Sequence, residues 1–356
     1  MAETQPPTAS DTPSASAAPA VAIRVAPSPH LCDAHLTTRG MMIDVLVGLA
    51  PVLVMAVLVF HWYAVVQVGL CVLSCLVAEV VFTRIRRKPI PIGDYSAAVT
   101  GVILGLSLPW GAPWYIGVLG SVVAIGLGKV VFGGLGFNIF NPAMVGRAFV
   151  MLSFAKELGA SAYVVTRSNL EVLTQATPLT IAKQFAADLA AGKVVAFEQP
   201  VQLEHAKAFW PLFIGQVNGS PGETSALALL VGGIYLCIRR AAAWQIPAGI
   251  FLTTVAFAAA AHGSMLTPFN ALHHLISGSV LFGAFFIATD PVTSPVTSTG
   301  KFLFGLGIGL LVVLVRVFSG YPEGVMFAVL VMNAVVPLIN RWTIPRPLGG
   351  PVPRKD

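Results

Sequence analysis

Long apolar stretches recur along almost the whole chain, and that recurrence limits the fold more than any single motif does. A helix needs about 20 apolar residues to cross the hydrocarbon core of a bilayer. By that rule the sequence offers about ten spans, near 41–60, 62–82, 95–109, 112–132, 138–155, 224–238, 244–262, 272–289, 302–318 and 324–341. Two of them, 95–109 and 224–238, are short. In lipid every backbone polar group must be paired within the protein, so spans of this kind form helices. Only 10% of the 356 residues are charged, where soluble domains carry about 25%. The expected fold is all-α and integral to a membrane, with one long extracytoplasmic loop. The net charge of +6 is no nucleic-acid signal, because the basic residues fall at the ends of the spans rather than on one patch.

Those span-end charges predict sidedness. Arg24 and Arg39 precede the first span, and Arg84-Ile85-Arg86-Arg87-Lys88 follows the second. Arg239-Arg240 follows the sixth; Arg341, Arg346, Arg354 and Lys355 follow the tenth. If the spans alternate, all four groups share one side. The positive-inside rule makes that side cytoplasmic, with both termini there. The segment 156–222 then lies outside, and a long translocated loop is exempt from the rule. The expected divisions are a disordered tail over 1–27, a first membrane half over 28–155, and the exterior segment over 156–222. A second membrane half over 223–345 and a cytoplasmic tail over 346–356 complete them. The tail over 1–27 is rich in Ala, Pro, Ser and Thr. With no basic start and no apolar core, it does not read as a signal peptide.

The halves repeat one order of features. From Thr100 to Phe154 come a span, a Pro-marked turn at Leu108-Pro109-Trp110, a Gly-rich span carrying Lys129, a Gly pair and another span. From Gly283 to Asn340 come a span, Asp290-Pro291, a Gly-rich span carrying Arg316, Ser319-Gly320 and a last span. An odd number of spans per half, five, places the halves in opposite orientations, the inverted-repeat layout of transport folds. Asp44, Glu79, Lys129, Arg147 and Arg316 lie in or beside spans. Each is costly in lipid, so each is expected to face the protein interior or an interface. Glu79 is expected to pair with Arg84, five positions on. Cys71 and Cys75 share a helix face but lack a His or acidic partner, so they read as buried small residues rather than a metal site. His30 and His35 read as surface residues. His273-His274 reads as a membrane-edge pair, since haem between helices needs His on a facing span.

Three stretches carry candidate chemistry. In Gly133-Gly134-Leu135-Gly136-Phe137-Asn138-Ile139-Phe140-Asn141-Pro142-Ala143-Met144-Val145-Gly146-Arg147, the glycines permit close helix approach, and Asn141-Pro142 frees backbone groups able to bind a ring or an ion. The plainer reading is a kinked packing helix. In the run from Ser277 to Pro295, Thr289, Asp290 and Thr293 supply oxygen donors at a helix break, suited to Na⁺ or a proton relay. The plainer reading is a solvated cytoplasmic loop with Asp290 in a turn. In Leu173-Thr174-Gln175-Ala176-Thr177-Pro178-Leu179-Thr180, Thr177 precedes a Pro that suits the first helical position. Its hydroxyl would sit beside the open N–H groups of a helix N-terminus, a setting favourable to phosphate. It serves there as a simple N-cap, or it holds a phosphorylated cofactor.

These stretches, together with Ser28-Pro29-His30 and Tyr321-Pro322-Glu323-Gly324-Val325, resemble the family of the membrane D subunit of the Rnf electron-transport complex and the B subunit of the sodium-translocating NADH:quinone oxidoreductase. The resemblance covers nearly the whole chain from Ser28. The family attaches FMN through its phosphate to a Thr in a motif that reads loosely Asp-x-x-Ser/Thr-Gly-Ala-Thr. Here Thr174, Ala176 and Thr177 fit, while Glu171 stands for Asp and Gln175 for Gly. The resemblance therefore implies covalent FMN on Thr177, and a second flavin, riboflavin or similar, within the spans. It implies a multi-pass subunit of the bacterial inner membrane that relays electrons between ferredoxin and NAD⁺ and couples them to Na⁺ or H⁺ movement, with the FMN segment periplasmic. The chain has no nucleotide-binding fingerprint and no Cys₄ cluster motif, so NADH and ferredoxin are expected to react on partner subunits. The competing expectations are a solute transporter or channel of the same layout with no redox role, and a structural anchor for partner subunits.

Overall fold

A computed structural model describes residues 37–89, 91–158, 209–215, 219–261, 271–319 and 324–344. The predicted tails over 1–27 and 346–356, Thr177 with its flanking motif, His30, His35 and Glu323 lie outside the described residues.

The first half comprises α1 (Thr38–Phe60), α2 (Trp62–Ile85), α3 (Ser96–Ser107), α4 (Trp114–Ile125) and α5 (Pro142–Ser153). A 3-10 turn over Ile92–Asp94 leads into α3, and α4 continues as a π-helical turn over Gly126–Val130. A short helix, α6 (Phe209–Ile214), precedes the second half. That half comprises α7 (Ala226–Ile238), α8 (Gln245–Ala261), α9 (Ala271–Ile276), α10 (Val280–Phe282), α11 (Ser298–Phe318) and α12 (Val325–Thr343). A second π-helical turn, Gly283–Ile287, extends α10. No strand occurs among the described residues. Helices α1, α2, α11 and α12 are long and apolar enough to cross a membrane, and shorter apolar helices pack with them.

Sequence and structure part at two of the predicted spans. The span read over 138–155 starts only at Pro142: Asn141 is its N-cap, with Oδ1 accepting from Ala143 N at 3.1 Å and Met144 N at 3.3 Å. Pro142 therefore occupies the first turn, where it costs no hydrogen bond, and does not kink the helix. The span read over 272–289 is broken into α9 and α10 at Ser277-Gly278-Ser279, with Gly278 at φ 71°. Helix α3, at 12 residues, rises about 18 Å, well short of the roughly 30 Å core. The third element of each half is thus incomplete, short in the first half and broken in the second.

The halves pack by the same rules. Helix α2 lies against α3 and α4, and α4 against α5; α8 lies against α11, and α11 against α12. Between the halves, α1 meets α7 and α5 meets α12. First elements meet first and fifth meet fifth, as a two-fold relation between repeats requires. Glycines set these distances: a Cβ on Gly232 would lie 2.0 Å from Gly48 O, and one on Gly146 would lie 2.4 Å from Gly120 O.

Two basic residues, one per half, brace the incomplete elements. Lys129, 2% exposed, pairs with Glu79 on α2 and donates to Ser96 Oγ at the start of α3. Glu79 therefore pairs across 50 residues rather than with its predicted neighbour Arg84, which is exposed. The reason is desolvation, since a carboxylate 1% exposed needs a partner equally inside. Near the far end of α11, Arg316 donates to His274 O at 2.6 Å and Ser277 O at 2.9 Å, holding the carbonyls at the break after α9. His274 is 3% exposed. It is a core residue beneath Arg316, not half of the predicted membrane-edge pair. Cys71 and Cys75 are fully buried, and no metal-ligating cluster occurs among the described residues.

Candidate functional site

The two halves line a cavity of about 70 Å³ that opens to the outside. Its apolar lining includes Met41, Met42 and Val45 from α1, Leu236 from α7, and Phe285 and Phe286 from the second π turn. Its polar lining comprises Ser96, Thr100, Lys129, Asn138, Asn141, Thr289 and Asp290. Four features that the sequence presents separately, Lys129, the Asn141-Pro142 step, Thr289 and Asp290, thus face one space.

The loop over 131–141 closes one side. Gly133, Gly134 and Gly136 have φ values of 135°, 110° and 92°, which residues with a Cβ avoid. Asn141 then ties the halves together. Its backbone N–H donates to Asn333 Oδ1 at 3.2 Å, and its Nδ2 donates to Ile287 O at 3.2 Å. Asn333 on α12 donates in turn to Thr293 O at 3.1 Å. The carbonyl of Ile287 ends the second π turn, so the amide supplies a donor where the helix stops.

At that stop, Thr289 Oγ1 donates to Phe285 O at 2.6 Å. Asp290 Oδ1 accepts from Val292 N at 3.3 Å, and Oδ2 accepts from Thr293 Oγ1 at 3.0 Å. Asp290 is both the turn former of the plainer reading and a wall of the cavity. Each carboxylate oxygen accepts only one of these bonds and retains capacity for a cation or a proton.

Asn138 has no chemistry of its own in the sequence motif. It is 5% exposed, and its Nδ2 donates to Phe140 O at 3.3 Å while Oδ1 accepts nothing. A buried amide oxygen without a donor is costly. A ligand bearing an N–H or O–H at the edge of the cavity removes that cost after a small adjustment of the wall. The signal that could find Asn138 is its place three residues before Asn141 in the same loop. No local pattern signals a further cluster, in which Asp44 on α1 accepts from Tyr235 Oη at 3.0 Å and Arg239 Nε at 3.2 Å, joining α1 to the end of α7.

The lining carries groups of the kinds that bind rings, in a space that must widen to admit one. The Phe285 and Phe286 side chains offer apolar faces, and Asn138 offers an acceptor suited to the imide N–H of a flavin.

Fold and cavity define the class: a polytopic, all-helical membrane protein of two packed halves, with a polar-edged cavity between them. The model of the NQR2, RnfD, RnfE family matches residues 24–349. The D subunit of the Na(+)-translocating ferredoxin:NAD(+) oxidoreductase complex of Acetobacterium woodii is 40% identical over 329 residues, covering 92% of this chain and 95% of that protein. The D subunit of the ion-translocating oxidoreductase complex of Halorhodospira halophila is 39% identical over 336 residues, 90% of this chain and 94% of its own. The D subunit of the proton-translocating ferredoxin:NAD(+) oxidoreductase complex of Clostridium ljungdahlii is 36% identical over 330 residues, 91% and 96% of the two chains. The chain belongs to the NQR2, RnfD, RnfE family.

Proposed function

We propose that this chain is the flavin-carrying membrane subunit of an ion-translocating ferredoxin:NAD⁺ oxidoreductase complex, with FMN joined through its phosphate to Thr177 and a second flavin in the cavity between the halves. The observation that supports the complex is similarity along nearly the full length to D subunits of ion-translocating oxidoreductase complexes, 40% identical in one case; the flavins rest on the Thr177 motif. The partners are the other subunits of such a complex, on which NADH and ferredoxin react. The location is the bacterial inner membrane, with both termini cytoplasmic and the Thr177 segment periplasmic. The basic groups at the ends of the second, sixth and tenth spans support that orientation.

A flavin accepts electrons singly or in pairs, and a covalent one cannot diffuse away. The residues of this chain position it and keep charge in order. A second flavin would be held by Asn138 Oδ1 as an acceptor and by Phe285 and Phe286 as apolar surface, with Lys129 lining the same space. Thr289 and Asp290 offer oxygens to Na⁺ or a proton at the stop of the second π turn. The named relatives divide between Na⁺ and protons, and the moved ion in this reading is one of those two.

The test is the fluorescence under ultraviolet light of the purified chain in a denaturing gel. The parent chain fluoresces, and Thr177→Ala, made at equal yield, does not. A dark parent band contradicts covalent flavin and favours a solute channel of the same fold.

A further inference from the structure

The end of α2 carries Arg84, Arg86, Arg87 and Lys88 within five residues. The helix stops there in a Schellman turn: Lys88 N donates to Thr83 O at 3.2 Å, and Arg87 N donates to Arg84 O at 3.0 Å. Such a turn needs one left-handed residue, and Arg87 supplies it at φ 53°. We infer that this turn is a binding site for the phosphate headgroup of an anionic phospholipid, held by Arg84, Arg87 and Lys88.

Backbone strain is the first reason. Glycine usually takes this position, because a Cβ disfavours the left-handed region. The helix dipole and the positive-inside rule both favour basic residues at this end. Arg84, Arg86 and Lys88 meet those demands, and glycine at 87 would meet them without strain. An arginine at the strained position therefore points to a use for its side chain. The same turn ends α7, where Ala241 N donates to Leu236 O at 3.0 Å, Arg240 N donates to Cys237 O at 3.2 Å, and Arg240 stands at φ 58°. There the preceding Arg239 is already paired with Asp44 at 3.2 Å. At the end of α2, Arg84, Arg87 and Lys88 are exposed and pair with no carboxylate among the described residues. One turn thus gathers three cations without a counter-charge.

The surroundings of the turn are the second reason. Leu73, Val77, Val81 and Ile85 follow one another at four-residue spacing along α2, and all are exposed. Residues at that spacing form one ridge on a helix surface, and this ridge ends at the turn. The π turn that extends α4 packs against α2 and exposes Leu127 and, just past its end, Val131. Arg86 donates to Val130 O, the last carbonyl of that π turn, and so fixes the basic turn to the end of α4. Apolar ridge and basic turn together match the two parts of a phospholipid. An acyl chain lies along the ridge while its phosphate reaches the cations, and basic groups beside the end of a lipid-crossing helix attract anionic headgroups. A soluble phosphate gains nothing from the ridge, and an acidic segment of a soluble partner reaches the cations but not the ridge.

The experiment is native mass spectrometry of the purified full chain in detergent, titrated with phosphatidylglycerol or, as the zwitterionic control, phosphatidylethanolamine. The parent is expected to bind phosphatidylglycerol the more tightly. Arg87→Gly and Arg84→Gln/Lys88→Gln are expected to weaken that binding by roughly five-fold for each basic group removed, with phosphatidylethanolamine unaffected. Arg240→Gln/Arg341→Gln, which removes two charges from other helix ends, is expected to leave it unchanged. Arg87→Gly also separates lipid binding from folding: it relieves the strain, so its Tm in lipid-free detergent is expected at or above that of the parent while its lipid affinity falls. Equal affinity of the parent for the two lipids would overturn the site and leave the turn to an acidic partner. Unchanged phosphatidylglycerol binding in Arg87→Gly, or an equal loss in Arg240→Gln/Arg341→Gln, would show only a diffuse effect of net charge. Displacement of phosphatidylglycerol by millimolar inorganic phosphate would make this a site for a soluble anion instead.

Discussion

At the residue scale the buried ion pair is the most exposed to test. Lys129 and Glu79 are 2% and 1% exposed, and Lys129 also holds Ser96. Removing one partner leaves a lone charge inside, at about 3–5 kcal/mol. Lys129→Met and Glu79→Gln are each expected to lower thermal stability in detergent strongly, and the double variant by clearly less than the sum. Additive losses in that cycle would show that the two side chains do not interact. Asn141 offers a second test. Its side chain caps α5 and donates to Ile287 O, so Asn141→Ala is expected to cost about 1–2 kcal/mol in the cap alone. Differential scanning fluorimetry reads this as a lower Tm; an unchanged Tm would remove the tie between the halves.

At the element scale, close crossings govern assembly. Gly232→Ala places a methyl 2.0 Å from Gly48 O, whereas a Cβ at Gly69 meets nothing within 4 Å. Gly232→Ala is expected to reduce the monodisperse fraction after detergent extraction several-fold, and Gly69→Ala to leave it unchanged. Equal yields would mean that α1 and α7 do not cross there. The spans themselves are readable in the sequence because lipid demands long apolar helices. Their breaks are less so. Pro142 looks like a kink because hydropathy runs smoothly from 138 to 155, and only the three-dimensional path shows that Asn141 starts the helix. Lys129 and Arg316 correspond in the sequence, but nothing there shows that each braces the incomplete element of its half. Such partners lie 33 to 50 residues apart, beyond any local pattern. The cavity residues Asn141, Thr289 and Asp290 stand out as motifs, whereas Asn138 becomes visible only as an amide with an unmatched oxygen.

At the scale of the whole molecule, two packed halves hold a polar-edged cavity between them. Sidedness is testable apart from any cofactor. A reporter active only in the periplasm, fused within 160–215, is expected to be active, and one fused after the last span inactive; the reverse pattern would invert the topology. The flavin on Thr177 is the claim on which the functional reading most depends. The most direct measurement is the mass of the proteolytic peptide containing Thr177, from chain stripped of all non-covalent small molecules under denaturing conditions. The expected result is an increment matching FMN less water, located by fragmentation on Thr177. A peptide found only at its unmodified mass would contradict it.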